Sequence, residues 1–117
     1  MATITDVQNS CTGMYQLLSG YLTHAAAPDG YTYFESNAAA ITTAILAQSR
    51  LVLQNAVDAC STSPTQVTEI WDLVTICNAA VQDTLSVIDA KNQSDKNPSV
   101  VSSTGTIRWL LNTTTKR

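Results

Sequence analysis

The chain has 117 residues, enough for one domain with a modest core. Only 13% of them are charged, against about 25% in ordinary globular domains, and Ala, Thr, Ser, Asn and Gln stand where Lys and Glu usually sit. Either much of the outer surface meets protein rather than water, or the chain is a mildly acidic monomer with a Ser/Thr/Ala-rich surface.

The net charge of −3 hides an asymmetry. Residues 1–90 hold eight acids and one base, Arg50, whereas residues 91–117 hold five bases and one acid, Asp95. Opposite signs on two parts of one chain favour docking of the tail on its own body or on a neighbour's. Five scattered bases are too few to point to nucleic acid. No basic region followed by an apolar run marks a secretory signal, and no apolar stretch approaches the ~20 residues that span a bilayer. The three cysteines, without close pairing, make no disulfide framework. Cys11 and Cys77 fall on apolar helical stripes and read as buried free thiols, which fits a reducing cytoplasm. Asn92-Gln93-Ser94 and Asn112-Thr113-Thr114 match the glycosylation pattern, which matters only if the chain is exported.

The first helix is predicted over about Ile4 to Ala26. Val7, Cys11, Met14, Leu18 and Tyr21 recur at spacings of four and three, with Leu17 and Leu22 beside them. Gly13 and Gly20 lie inside it, where each either admits a neighbouring helix or simply weakens this one by roughly 1 kcal/mol. Pro28-Asp29-Gly30 ends the helix and turns the chain. Thr32-Tyr33-Phe34-Glu35 reads as a capping box for the next helix. The aromatics at that point, with Tyr15 and Tyr21, either close the end of a bundle or form a ligand platform.

The second helix is expected from about Tyr33 to Cys60. Its stripe is Ala38, Ile41, Ile45, Val52 and Ala59, interrupted by Gln48 and Asn55. Those two amides either face solvent or lie buried and select register in an assembly. Leu46, Leu53 and Val57 make a second apolar flank, so this helix meets two neighbours. The short Ser61-Thr62-Ser63-Pro64 loop makes the second and third helices antiparallel neighbours.

The third helix, Ser63 to Lys91, is the strongest pattern in the chain. Ser63 can cap it, Pro64 suits its first position, and Gln66 sits three after the cap. Val67, Ile70, Val74, Cys77, Val81, Thr84 and Ile88 then follow at alternating spacings of three and four. This is an a/d seam, flanked by Trp71, Leu73, Leu85 and Val87. Glu69, Asp72, Asp83 and Asp89 lie on or near its polar side, with no base before Lys91 to pair with. They form a solvated acidic face, or, if subunits pack there, a set of like charges that protonation relieves.

After Lys91 the periodicity stops, which divides the chain into a helical bundle (1–91) and a linker with a basic tail (92–117). Val100-Val101 and Ile107-Arg108-Trp109-Leu110 flank a Ser/Thr/Gly turn and suggest a hairpin, with a short helix from Thr106 to Asn112 as the alternative. A lone hairpin needs a surface to lie on, and Trp109 is the expected anchor.

No phosphate-binding glycine loop, close zinc-ligand pair or nucleophile elbow is present. His24, the only histidine, sits where a helix C-terminus favours a cation. The spacings of Cys11, His24, Cys60 and Cys77 are not those of a zinc site. No catalytic, cofactor or metal site is therefore assigned, and no cofactor is expected.

The stretch Ala47-Gln48-Ser49-Arg50-Leu51-Val52-Leu53-Gln54-Asn55-Ala56-Val57-Asp58-Ala59 resembles the helical segment of the R-body (Reb) proteins, with its apolar run ending in Asn-Ala-Val. Ile4-Thr5-Asp6 and Met14-Tyr15-Gln16 are similar to that family as well. The chain departs from it in having Cys60-Ser61-Thr62 where a Gln-rich run usually follows, and in its basic tail. The resemblance implies a cytoplasmic bacterial protein that polymerises into a coiled ribbon whose shape changes with pH.

The expected fold is all-α, an antiparallel bundle of three long helices with a C-terminal extended or short helical segment. The expected role is a non-enzymatic structural subunit, a homo-oligomer assembling through helix faces into a polymer. A helical adaptor for a different protein is the alternative. The interface candidates are Val67, Ile70, Trp71, Val74, Val81 and Ile88 on the third helix, and Ile107, Trp109 and Leu110 in the tail.

Overall fold

The computed structural model describes residues 1–28 and 30–94, with side chains described for 1–28 and 32–88. The fold is all-α. Helix α1 spans Ile4–Ala26, α2 spans Gly30–Thr62, and α3 spans Val67–Ser94 after a 3-10 turn at Pro64–Gln66. Each helix packs on the other two, in a body of 48 × 23 × 18 Å. The long dimension matches α2, whose 33 residues reach ~50 Å at the standard rise.

Helix α1 has the expected bounds. Its start is held by a cap that the apolar pattern does not reveal: Asp6 Oδ2 accepts the Thr3 backbone N–H at 2.8 Å. Val7, Cys11, Met14, Leu18 and Tyr21 are all buried. The helix ends at Ala26, with Ala27 in extended backbone ahead of Pro28.

Helix α2 starts three residues earlier than expected, at Gly30. Thr32 and Glu35 therefore lie inside it, and Thr32-Tyr33-Phe34-Glu35 is not its cap. The early start puts Phe34 in the second turn, where it is wholly buried. Tyr33 meets Phe34 edge-on at 5.4 Å, and its other contact is a parallel stack on His24 of α1 at 3.6 Å. The aromatic cluster thus closes the end of the bundle.

The turn between α2 and α3 is one residue, Ser63, followed by the 3-10 segment. Ser63 makes no side-chain cap. Its backbone does the joining: Ser63 N–H donates to Ala59 O at 2.8 Å and Gln66 N–H to Ser63 O at 2.9 Å. Pro64, which lacks an N–H, stands where no partner is needed. Helix α3 runs three residues past Lys91, so Asn92–Ser94 are helical rather than linker. The tail, residues 95–117, with both alternatives for its structure and with Ile107, Trp109 and Leu110, lies outside the described residues.

Two amides bridge α1 and α2. Gln48 Nε2 donates to Ser10 O at 2.8 Å, and Asn55 Nδ2 to Asp6 O at 3.4 Å. The Ala2 backbone N–H donates to Asp58 Oδ2. As the α2 partner moves towards its C-terminus, the α1 partner moves towards its N-terminus, so the two helices are antiparallel. Neither amide simply faces solvent: both are half-buried and bonded within the chain.

The two glycines of α1 separate. A Cβ on Gly13 would lie 2.9 Å from Gln48 Nε2, whereas one on Gly20 meets nothing within 4 Å. Gly20→Ala is expected to stabilise the fold by about 1 kcal/mol through helix propensity. Gly13→Ala offers the same gain but displaces the Gln48 amide from Ser10 O, forfeiting about 1 kcal/mol, so its net effect is near zero. In a Gln48→Ala background the gain from Gly13→Ala returns. Denaturant titration of the variants measures this coupling, and equal effects at the two glycines would show that the Gln48 bond contributes nothing.

Candidate functional site

The a/d seam of α3 is spent within the molecule. Ile70, Val74, Cys77, Val81, Thr84 and Ile88 are all buried, and Leu85 beside them is fully so. Of the interface candidates, Ile70, Val74, Val81 and Ile88 belong to the chain's own core, and Trp71 packs half-buried against it. The correction has a simple cause. An apolar stripe specifies burial, and with α1 and α2 at hand the nearest apolar surface is intramolecular. Val67, at the start of α3, is the exception at 37% exposed.

What remains outside is a different set. On α3, Ile76 is 59% and Val87 46% exposed. Their spacing of eleven is close to three turns, so they share a face, and Glu69, Asp72 and Asp83 fall on that face too. The outer side of α3 is thus a stripe of aliphatics between carboxylates, all exposed, with no base among them. Tyr15 and Leu22, seven residues apart on α1, are also exposed, as are Leu51 and Val57 on α2. Val57, Val87 and Leu22 look like flanking core in the linear pattern, yet each lies just beyond the reach of the neighbouring helices.

A polar groove of about 510 Å³ lies between the N-terminal half of α1 and the C-terminal half of α2, lined by Asp6, Asn9, Ser10, Gln48, Asn55 and Asp58 among others. Most of its polar groups are already engaged: Asp6 caps α1, Asp58 receives Ala2, and both amides reach α1 carbonyls. A smaller depression of about 370 Å³ beside Leu53, Val57 and Ser61 is mostly apolar. Among the described residues, no group of three or more His, Cys, Asp or Glu converges as metal ligands, and no helix is long and apolar enough to cross a membrane.

The thiols are the one chemically distinctive pair. Cys11 of α1 and Cys77 of α3 are both buried, and the Cys11 S–H donates to Leu73 O, one turn before Cys77, at 3.9 Å. The neighbouring Cys77 thiol lowers the pKa of Cys11 against the opposing effect of burial. The Cys11 sulfur, together with burial, holds Cys77 protonated far above an ordinary thiol. Burial raises the phenol of Tyr15, and both thiols add to the effect.

No protein-family model, curated protein or solved structure matches the chain.

Proposed function

We propose that the chain is a non-enzymatic, cytoplasmic structural subunit that self-assembles through its outward helix faces into a polymer or large oligomer. The observation that carries this reading is the outer face of α3, where Ile76 and Val87 stand exposed between Glu69, Asp72 and Asp83. Exposed pairs on α1 and α2 give the bundle apolar contacts on more than one side, as a growing assembly requires. The charge pattern supports the same reading, because an acidic bundle and a basic tail attract between subunits as well as within one. The likeness to R-body proteins points to a ribbon whose form depends on pH, and a stripe of carboxylates packed between subunits would supply that dependence through repulsion relieved by acid.

Light scattering on the purified full-length chain, beside a version truncated after Lys96, tests this. Large particles are expected from the full chain, and their collapse to monomers on truncation would assign the contact to the tail. A full-length species that stays at 12.5 kDa at high concentration would overturn self-assembly and leave an adaptor for a different protein.

A further inference from the structure

We propose that Cys11 and Cys77 are a peroxide-sensitive pair that closes into an intramolecular disulfide, stapling α1 to α3. Both thiols are buried in the same core, Cys11 on α1 and Cys77 on α3. The Cys11 S–H donates to Leu73 O at 3.9 Å, one turn before Cys77 on α3, which sets its sulfur against the turn that carries Cys77. The remaining thiol, Cys60, does not compete. Gln48 is the α2 residue level with this part of α1, and Cys60 lies twelve residues further, ~18 Å along the bundle. Tyr15, one turn beyond Cys11 and near enough to both thiols for them to raise its phenol, is exposed.

The two sulfurs have different roles. The lowered Cys11 is the better source of thiolate, and the thiolate is the nucleophile. Its sulfur attacks one oxygen of hydrogen peroxide, the O–O bond breaks, and the departing hydroxide takes up a proton to leave as water. Cys11 is then a sulfenic acid. Cys77 attacks that sulfur, the S–O bond breaks, and the hydroxide that leaves takes the Cys77 proton, giving a second water. Each sulfur loses one electron and the peroxide gains two. The product closes a loop from residue 11 to residue 77, a long span of the kind whose closure constrains an unfolded chain strongly.

The test uses the full-length chain treated with hydrogen peroxide and then alkylated under denaturing conditions. Cleavage after Arg50, Glu35 and Glu69 puts the three cysteines on three separate peptides. The expected product is a chain lighter by two hydrogens, with the Cys11 and Cys77 peptides joined and Cys60 alkylated. Its thermal midpoint should rise by about 10 °C and fall back on reduction with dithiothreitol. Linkage through Cys60, linkage between chains, or Cys11 and Cys77 both recovered alkylated would overturn the proposal. A joined pair with no rise in midpoint would overturn the staple.

Discussion

Phe34→Ala is expected to lower the stability of the bundle by about 3–5 kcal/mol, a large part of the ~5–15 kcal/mol that a domain of this kind holds. Phe34 heads the largest fully buried side chains, at 0% exposure. It sits where α1 turns into α2, with Tyr33 edge-on to it and His24 stacked on Tyr33. Removing the ring leaves a cavity at the end of the bundle. Tyr33→Ala removes a half-buried ring and should cost less. Denaturant unfolding followed by circular dichroism compares the two. Equal and small losses would mean that the aromatic end contributes little and that the middle of the bundle holds the fold.

Ile70→Ala and Ile76→Ala should differ sharply although they stand six residues apart on one helix. Ile70 is wholly buried and Ile76 is 59% exposed. The first substitution is expected to cost about 2–5 kcal/mol of monomer stability. The second should change it by no more than about 0.5 kcal/mol. In the proposed assembly the order reverses: Ile76→Asp should reduce particle mass while leaving the unfolding midpoint of the bundle nearly unchanged. Stability and scattering measured on the same preparations separate the two roles. If Ile70→Ala abolished particles and left the bundle intact, the seam of α3 would lie between subunits and not within one.

The R-body-like assembly proposed above draws on one run of the chain. The segment that carries it, Ala47–Ala59, belongs to α2. There Gln48, Val52, Asn55, Ala56 and Ala59 face the bundle, and Leu51 and Val57 face outward. The matching run is thus partly a core pattern that any three-helix bundle needs. Its outward residues are the ones a ribbon would use.

The sequence by itself determined that the described residues form three long helices, where each lies to within a few residues, and which stripe of each is buried. Val7, Cys11, Met14, Leu18 and Tyr21 on α1, and Ile70 to Ile88 on α3, could be read because burial repeats every three or four residues and that spacing is local. The start of α2 was less legible: the Pro28-Asp29-Gly30 turn and the Thr32 capping signal both pointed to a start near Tyr33, whereas the helix begins at Gly30. The tertiary structure alone decided what the stripes are buried against. Whether an apolar seam meets its own chain or another depends on how the helices cross, and no local spacing encodes that. The same holds for the contacts that give this bundle its particular chemistry. Gln48 reaches Ser10 across 38 residues, Asn55 reaches Asp6 across 49, and Cys11 reaches the Leu73 turn across 62. Each depends on the depth and register at which two helices pack, set by the whole core and not by the residues that touch.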